Sequence, residues 1–336
     1  MLRTHFVDVV YTHTEGEPTC IIQSGVSYPY GLDILGKRRY LEANYDWLRR
    51  ALMREPRGHK DMYGVFVTPP SGPEFDAGAI YMHGENWRNM CGHGTIGTAM
   101  ALVATGAITS AQSPARIRLE TTAGAVTAEV GFNDSRVEWC RFENVPAYVH
   151  AQDVAIDLPE IGQVLADIVF GGHFFGIIKW PDPKICICAE NGSVFAQLGV
   201  IARQELLKKV PVKHPIHGHI SQVDLVTFYH GATRPEAKYR NVHIFADGKM
   251  DRSPGGTGTS AMMAMLEARG RLKIGETIQA EGLLGSGTFE GCLVRETEVG
   301  GKRAVVPSVK GKANIYGYAK WLLDPDDPVG KGFVIV

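Results

Sequence analysis

Cys91 stands directly before Gly92-His93-Gly94, and the stretch it opens occurs twice. Cys91-Gly92-His93-Gly94-Thr95-Ile96-Gly97-Thr98-Ala99-Met100-Ala101-Leu102 returns 164 positions later as Gly255-Gly256-Thr257-Gly258-Thr259-Ser260-Ala261-Met262-Met263-Ala264-Met265-Leu266. Gly92, Gly94 and Thr95 recur as Gly256, Gly258 and Thr259, and Gly106 recurs as Gly270. Each copy reads as a glycine turn feeding an apolar helix. The first N–H groups of a helix have no partner within it, and the aligned peptide dipoles place partial positive charge there, so such a start attracts an anion. Glycine lets a ligand approach the backbone closely. Two such starts can grip one carboxylate. A cysteine at the mouth of the first is favoured there as thiolate, a base or nucleophile. At the equivalent place the second copy has Gly255.

Other residue groups admit plainer readings. Asp251-Arg252-Ser253-Pro254 reads as a helix entry, with Ser253 as cap, Pro254 at the first position and an acid near the positive end. That accounts for Ser253 and Pro254 better than for Asp251, for which a ligand amine competes. Gly92-x-Gly94-x-x-Gly97, with Glu120 further on, has dinucleotide-fingerprint spacing. The fingerprint must follow a buried strand, however, and residues 84–89 are polar; the second copy has Ala261 where Gly97 stands. Cys91-x-His93, His214-x-x-His217-x-His219 and Cys186-x-Cys188 could each be metal pairs. Residues i and i+2 of a strand share a face, so Cys186 and Cys188 read more simply as core side chains. The histidines lie in a Pro/Gly loop without an evident fourth ligand.

Those residues need a scaffold, and 336 residues suffice for two domains. The net charge of −1 implies neither a nucleic-acid partner nor an acidic membrane surface. The N-terminal residues lack a secretory pattern, and no apolar run approaches the ~20 residues of a membrane span. Six scattered cysteines make a disulfide framework improbable, which fits a cytoplasmic protein.

Leu41, Tyr45, Leu48 and Leu52 recur at helical spacing, predicting a helix over 37–54 that Pro56 ends. Further helices are predicted over 94–105, over 194–210 and after Pro254. Strands are predicted at 4–10 and 19–23, joined by a polar turn over 13–18, then at 65–67, 79–82, 117–120, 126–130 and 137–142. Residues 146–159 read as a crossover between halves, and 168–178 as one strand bent at Gly171-Gly172. Strands at 223–228, 242–245, 278–279, 292–294, 304–306 and 314–323 complete the pattern. Many short strands with one central helix per half imply an α+β fold.

Residues 90–97 resemble the first catalytic motif of the proline racemase family, and residues 251–261 resemble the second. Residues 13–18, 55–62, 241–247 and 323–328, with Phe170-Gly171-Gly172, support the likeness, which spans nearly the whole chain. The resemblance implies a diaminopimelate-epimerase-like fold: two pseudo-symmetric lobes, each a barrel-like, mostly antiparallel sheet around a central helix, with the active site between them. It assigns 1–140 plus about 312–336 to the lobe carrying Cys91, and 141–311 to the lobe carrying Asp251 to Ser260. It implies no cofactor, no metal and a homodimer. In that family one motif cysteine removes the α-proton and the other returns one on the opposite face; Cys91 matches the first. The resemblance gives the carboxylate to the amides of Gly92, His93, Gly256 and Thr257, the substrate amine to Asp251, and an aromatic wall of the pocket to Phe245.

Gly255 departs from the pattern, because glycine carries no side chain to move a proton. Family members without the second cysteine, usually with threonine there, resemble trans-3-hydroxy-L-proline dehydratases. Elimination needs one base and a route for the C3 hydroxyl, so dehydration with Cys91 as base is the first expectation. The alternative is a 4-hydroxyproline 2-epimerase or proline racemase in which water or a group such as His173 replaces the missing acid. A non-catalytic imino-acid binding protein is the third.

Overall fold

The computed structural model describes residues 5–134, 136–182 and 184–335. Thr4, with which the first predicted strand opens, lies outside the described residues. The chain divides into two compact units, one reaching Cys140 and resuming at Lys312, the other Arg141–Gly311.

The first unit begins with β1 (His5–Thr14) and β2 (Glu17–Ile22). The turn between them is only Glu15-Gly16, so His13, Thr14, Glu17 and Pro18 belong to strands rather than to the longer turn expected. There follow α1 (Ile34–Met53), β3 (Tyr63–Thr68), β4 (Ala77–His83), β5 (Trp87–Arg88), α2 (Gly92–Ala104), β6 (Ala115–Thr121), β7 (Gly124–Phe132) and β8 (Val137–Glu143), the last running on into the second unit. The second unit holds β9 (Tyr148–Leu158), β10 (Gly162–Phe170), β11 (Phe174–Lys179), α3 (Gly192–Lys209), β12 (Val223–His230), β13 (Tyr239–Phe245), β14 (Met250–Asp251), α4 (Gly256–Ala268), β15 (Thr277–Glu281), β16 (Thr288–Val299) and β17 (Lys302–Gly311). Finally β18 (Ala313–Leu323) returns to the first unit and pairs antiparallel with β1, from His5 opposite Leu323 to Thr14 opposite Ala313.

One pairing series is built twice. In the first unit β2 runs parallel to β3, β3 antiparallel to β4, β4 parallel to β6, and β6 antiparallel to β7. In the second, β11, β12, β13, β15 and β16 repeat those senses in that order. A parallel neighbour needs a crossover: α1 and α3 lie in those of β2–β3 and β11–β12, and α2 and α4 in those of β4–β6 and β13–β15.

Asp33 caps α1 through Oδ1, which accepts the Gly36 amide at 2.7 Å. Leu41, Leu48 and Leu52 of its buried stripe pack with Val7, Val9, Phe66 and Ile80. By contrast, α2 and α4 are buried all round, from Gly92 to Leu102 and from Gly256 to Leu266. Glycine is needed where neighbours come closest. A Cβ on Gly97 would overlap Thr12 Oγ1, and one on Gly171 would come within 2.7 Å of Thr257 O and 2.8 Å of the Ala261 amide. At the far end of α4, Arg269 grips Asp167 with both arms, at 2.8 and 2.7 Å, and reaches Asp153 at 2.7 Å. A cation there complements the helix dipole.

Several expectations are corrected. Residues 146–159 hold strand β9 (Tyr148–Leu158) rather than a crossover. Residues 168–178 are two strands of a hairpin, with Gly171-Gly172-His173 as the turn; Gly172 has φ 109°, so the chain reverses there instead of bending. Cys186 and Cys188 lie in a turn, Cys186 exposed, with sulfurs 2.8 Å apart, and are not core strand residues. The cap of α4 is Gly255, and Ser253 and Pro254 precede the helix. No helix among the described residues is long and apolar enough to cross a membrane.

Candidate active site

Cys91 is the N-cap of α2, with extended φ −150° and ψ 118°. Its Sγ accepts the Gly94 amide at 3.3 Å, and its carbonyl accepts from the Thr95 amide at 2.9 Å and Thr95 Oγ1 at 2.7 Å. The Tyr81 hydroxyl lies 2.6 Å from that same Oγ1, so strand β4 holds the turn from below. The His93 ring stands beside the sulfur, Nδ1 at 3.4 Å and Nε2 at 3.5 Å. Tyr63 meets the ring edge-on at 4.7 Å between centroids, and Thr14 Oγ1 donates to the His93 carbonyl at 3.3 Å. The sequence offered the His93 amide as a carboxylate donor and Cys91-x-His93 as a metal pair; the structure sets the imidazole against the thiol itself. The two-residue spacing of Cys91 and His93 was the signal. The amides of Gly92 and His93 open the helix, at the end where the aligned peptide dipoles place partial positive charge.

The second motif is built differently. Asp251, on β14 opposite His243, accepts through Oδ1 from the Ser253 amide at 2.9 Å and the Ser253 hydroxyl at 2.7 Å. Ser253 Oγ in turn accepts the Gly255 amide at 3.1 Å. This buried relay holds the carboxylate still and explains Ser253 without a cap role. Gly255 has φ 76° and ψ 111°, a left-handed φ that glycine adopts at little cost. Gly256 and Thr257 then open α4 as Gly92 and His93 open α2. The Pro254 carbonyl receives His243 Nε2 at 2.9 Å, Asn241 Nδ2 at 3.1 Å and Thr259 Oγ1 at 3.2 Å. His243 Nδ1 meets Thr227 Oγ1 at 2.8 Å. Burial lowers the His243 pKa, opposed by the Asp251 carboxylate and the Pro254 carbonyl. Sequence reasoning missed His243, Asn241 and Thr227. Residues 241–247 entered only as part of the family likeness, and the alternation Asn241-x-His243, which puts two polar side chains on one strand face, was the further signal.

Phe245 ends β13, buried, where its carbonyl accepts the Gly248 amide at 2.9 Å in the turn to β14. His173 sits in the β10–β11 turn, and its Nδ1 lies 3.0 Å from Asp224 Oδ2, both residues buried. A carboxylate on one ring nitrogen fixes the tautomer and orients the other, as an acid–base imidazole requires. His214 is committed otherwise: its Nδ1 accepts the amides of Ile216 at 3.1 Å and His217 at 2.9 Å. Burial, with His217 and His219 alongside, pushes its pKa down to about 4. No cluster of three His, Cys, Asp or Glu disposed to hold a metal occurs among the described residues.

Residues 9–334 match the family model described as proline racemase. The chain belongs to the proline racemase family. It is 57% identical over 332 residues, covering 98% of both chains, to the 4-hydroxyproline 2-epimerase of Cereibacter sphaeroides. To the trans-3-hydroxy-L-proline dehydratase of Azospirillum brasilense it is 34% identical over 335 residues, covering all of both chains. The crystal structure of a hydroxyproline epimerase from Agrobacterium vitis with bound trans-4-hydroxy-L-proline superposes with a TM-score of 0.92 at 29% identity, covering 100% of this chain and 97% of that one. A PhzF-family protein of Bacillus anthracis shares the mixed α+β fold at a TM-score of 0.61 and 16% identity, covering 95% of this chain and 99% of that one. As a proline racemase family member the protein is an enzyme, so the reading as a binding protein without catalysis falls. Isomerases of the family are the better match, and dehydration, the first expectation from Gly255, is the less supported reading.

Proposed function

We propose that the enzyme inverts the α-carbon of 4-hydroxyproline. The similarity to the Cereibacter epimerase over almost the whole of both chains carries this reading. Cys91 takes the α-proton. As it leaves, negative charge builds on the substrate carboxylate, and preorganised amide donors at helix starts stabilise such charge most where it develops. Gly92, His93, Gly256 and Thr257 supply those donors. Asp251, held by Ser253, takes the protonated ring amine, and Phe245 packs against the ring. With Gly255 at the second motif position, the proton on the opposite face comes from a group other than cysteine. His173, oriented by Asp224, is that group in this reading.

One observation favours a second reading. Position 255 has no thiol, and dehydration of 3-hydroxyproline needs only one base. Proton NMR in D2O with trans-4-hydroxy-L-proline, trans-3-hydroxy-L-proline and L-proline offered separately decides between them. Epimer signals from 4-hydroxyproline with deuterium at Cα are the expected result. Consumption of 3-hydroxyproline alone, with new pyrroline-carboxylate signals, would replace epimerisation by dehydration.

A further inference from the structure

We propose that His243 takes the place of the side chain absent at position 255 and, as a positioning residue, sets the second helix start for carboxylate binding. The inference rests on reading Gly256 and Thr257 as carboxylate donors.

A Cβ built on Gly255 would overlap His243 Nε2 and Cδ2, and one on Gly258 would overlap the same ring. The imidazole therefore fills two spaces that side chains would otherwise claim. In the first motif, the place beside Gly94 belongs to Cys91 Sγ, 3.0 Å from where a Gly94 Cβ would lie. The strand residue behind it is Tyr81, paired with Arg88 as His243 is paired with Asp251. The Tyr81 ring stops at 3.4 Å, an ordinary contact. His243 comes further in, because nothing projects from position 255 to stop it.

The backbone differs in step. Cys91 and Gly255 have nearly the same ψ, 118° and 111°, but φ of −150° and 76°. The peptide before Gly255 is thus rotated relative to the one before Cys91. The matched threonines record it: Thr95 Oγ1 donates to the Cys91 carbonyl at 2.7 Å, whereas Thr259 Oγ1 donates to the Pro254 carbonyl at 3.2 Å. Pro254 O is a pure acceptor, so His243 Nε2 carries the proton in their 2.9 Å bond. With Asn241 and Thr259 it gives that carbonyl three donors. Thr227 Oγ1 at Nδ1 fixes the ring from behind. The left-handed φ at Gly255 is thereby imposed, and with it the direction of the first amides of α4. His243 and a side chain at 255 are alternatives: one excludes the other.

The test is a mutant cycle in the full chain: Gly255→Cys, His243→Ala, both together, and His243→Gln, whose amide can still donate to Pro254. The readouts are the thermal midpoint and the Kd for pyrrole-2-carboxylate, which is planar at the α-carbon and carries the carboxylate and ring N–H. Gly255→Cys alone is expected to lower the midpoint and weaken binding at least tenfold. Adding His243→Ala should recover both; if the single variant does not fold, folded double variant is the same recovery. His243→Ala alone should weaken binding tenfold, and His243→Gln less than threefold. The proposal is overturned if Gly255→Cys equals the wild type, if the double variant shows only the two losses added, or if His243→Ala lowers the midpoint without changing Kd. A wild type that neither binds the analogue nor epimerises 4-hydroxyproline would sink the functional reading instead, and the midpoints would still judge the pair.

Discussion

His173 Nδ1 lies 3.0 Å from Asp224 Oδ2, and both residues are buried. A ring held this way can pass protons only through its other nitrogen. If His173 is the second acid, His173→Gln should lower epimerisation by about 10²–10⁴-fold. Exchange of the α-proton on the face served by Cys91 should continue. Deuterium wash-in followed by NMR separates the two rates. Loss of exchange and epimerisation in equal measure would remove His173 from the proton path.

Cys91 caps α2 with its sulfur, so Cys91→Ser keeps a good N-cap and should leave the thermal midpoint nearly unchanged. Exchange and epimerisation should both fall by roughly 10³-fold or more, because a hydroxyl is a far weaker base. A serine variant that still exchanged the α-proton at near the wild-type rate would show that another group is the base.

The bidentate bond of Arg269 to buried Asp167 joins the end of α4 to β10. Asp167→Ala removes the shared acceptor and should cost about 2–3 kcal/mol, as expected for hydrogen bonds between charged groups. Urea unfolding measures it. A change under about 0.5 kcal/mol, the size of an ordinary surface substitution, would contradict the role given to the pair.

His214 has the ordinary histidine pKa of 6.5 when unfolded and about 4 in the fold, lowered by burial and then by His217 and His219. Between those values the unfolded chain takes the proton and the native chain does not. Stability present above about pH 6.5 is therefore lost as the pH falls toward 4. In His214→Asn, the amide oxygen can replace Nδ1 as acceptor for the Ile216 and His217 amides. The acid side of its midpoint-against-pH curve should be shallower than that of the wild type. Parallel curves would place the acid sensitivity elsewhere.

Legibility in the sequence followed the range of the forces involved. The buried helices announced themselves, because Gly92 to Leu102 and Gly256 to Leu266 have no polar face to show solvent. Gly171-Gly172 was read as a bend, since whether a glycine pair bends or reverses a strand depends on which neighbours pair across it. Cys186 and Cys188 alternate like strand residues, yet no partner strand meets them. Ser253 and Pro254 have the types of a helix entry, but the left-handed φ of Gly255 moves the entry past them. At the site, the donors were visible as glycine turns. What fills the space above Gly255 was not, because His243 reaches it from a neighbouring strand. From the sequence, position 255 shows only a missing cysteine, and that alone pointed to dehydration.

The pairing of β1 with β18 sets an order on the making of this protein. A ribosome finishes Arg141 to Gly311 while the strand that closes the Cys91-bearing unit is still untranslated. His5 to Thr14 must wait, one edge open, until Ala313 to Leu323 emerge. The inserted unit can collapse on its own strands as soon as it leaves the tunnel; the unit holding the thiol cannot. A nascent chain stalled before Ala313 would carry the whole first motif with no finished sheet around it, so Cys91 is housed only after the last strand arrives.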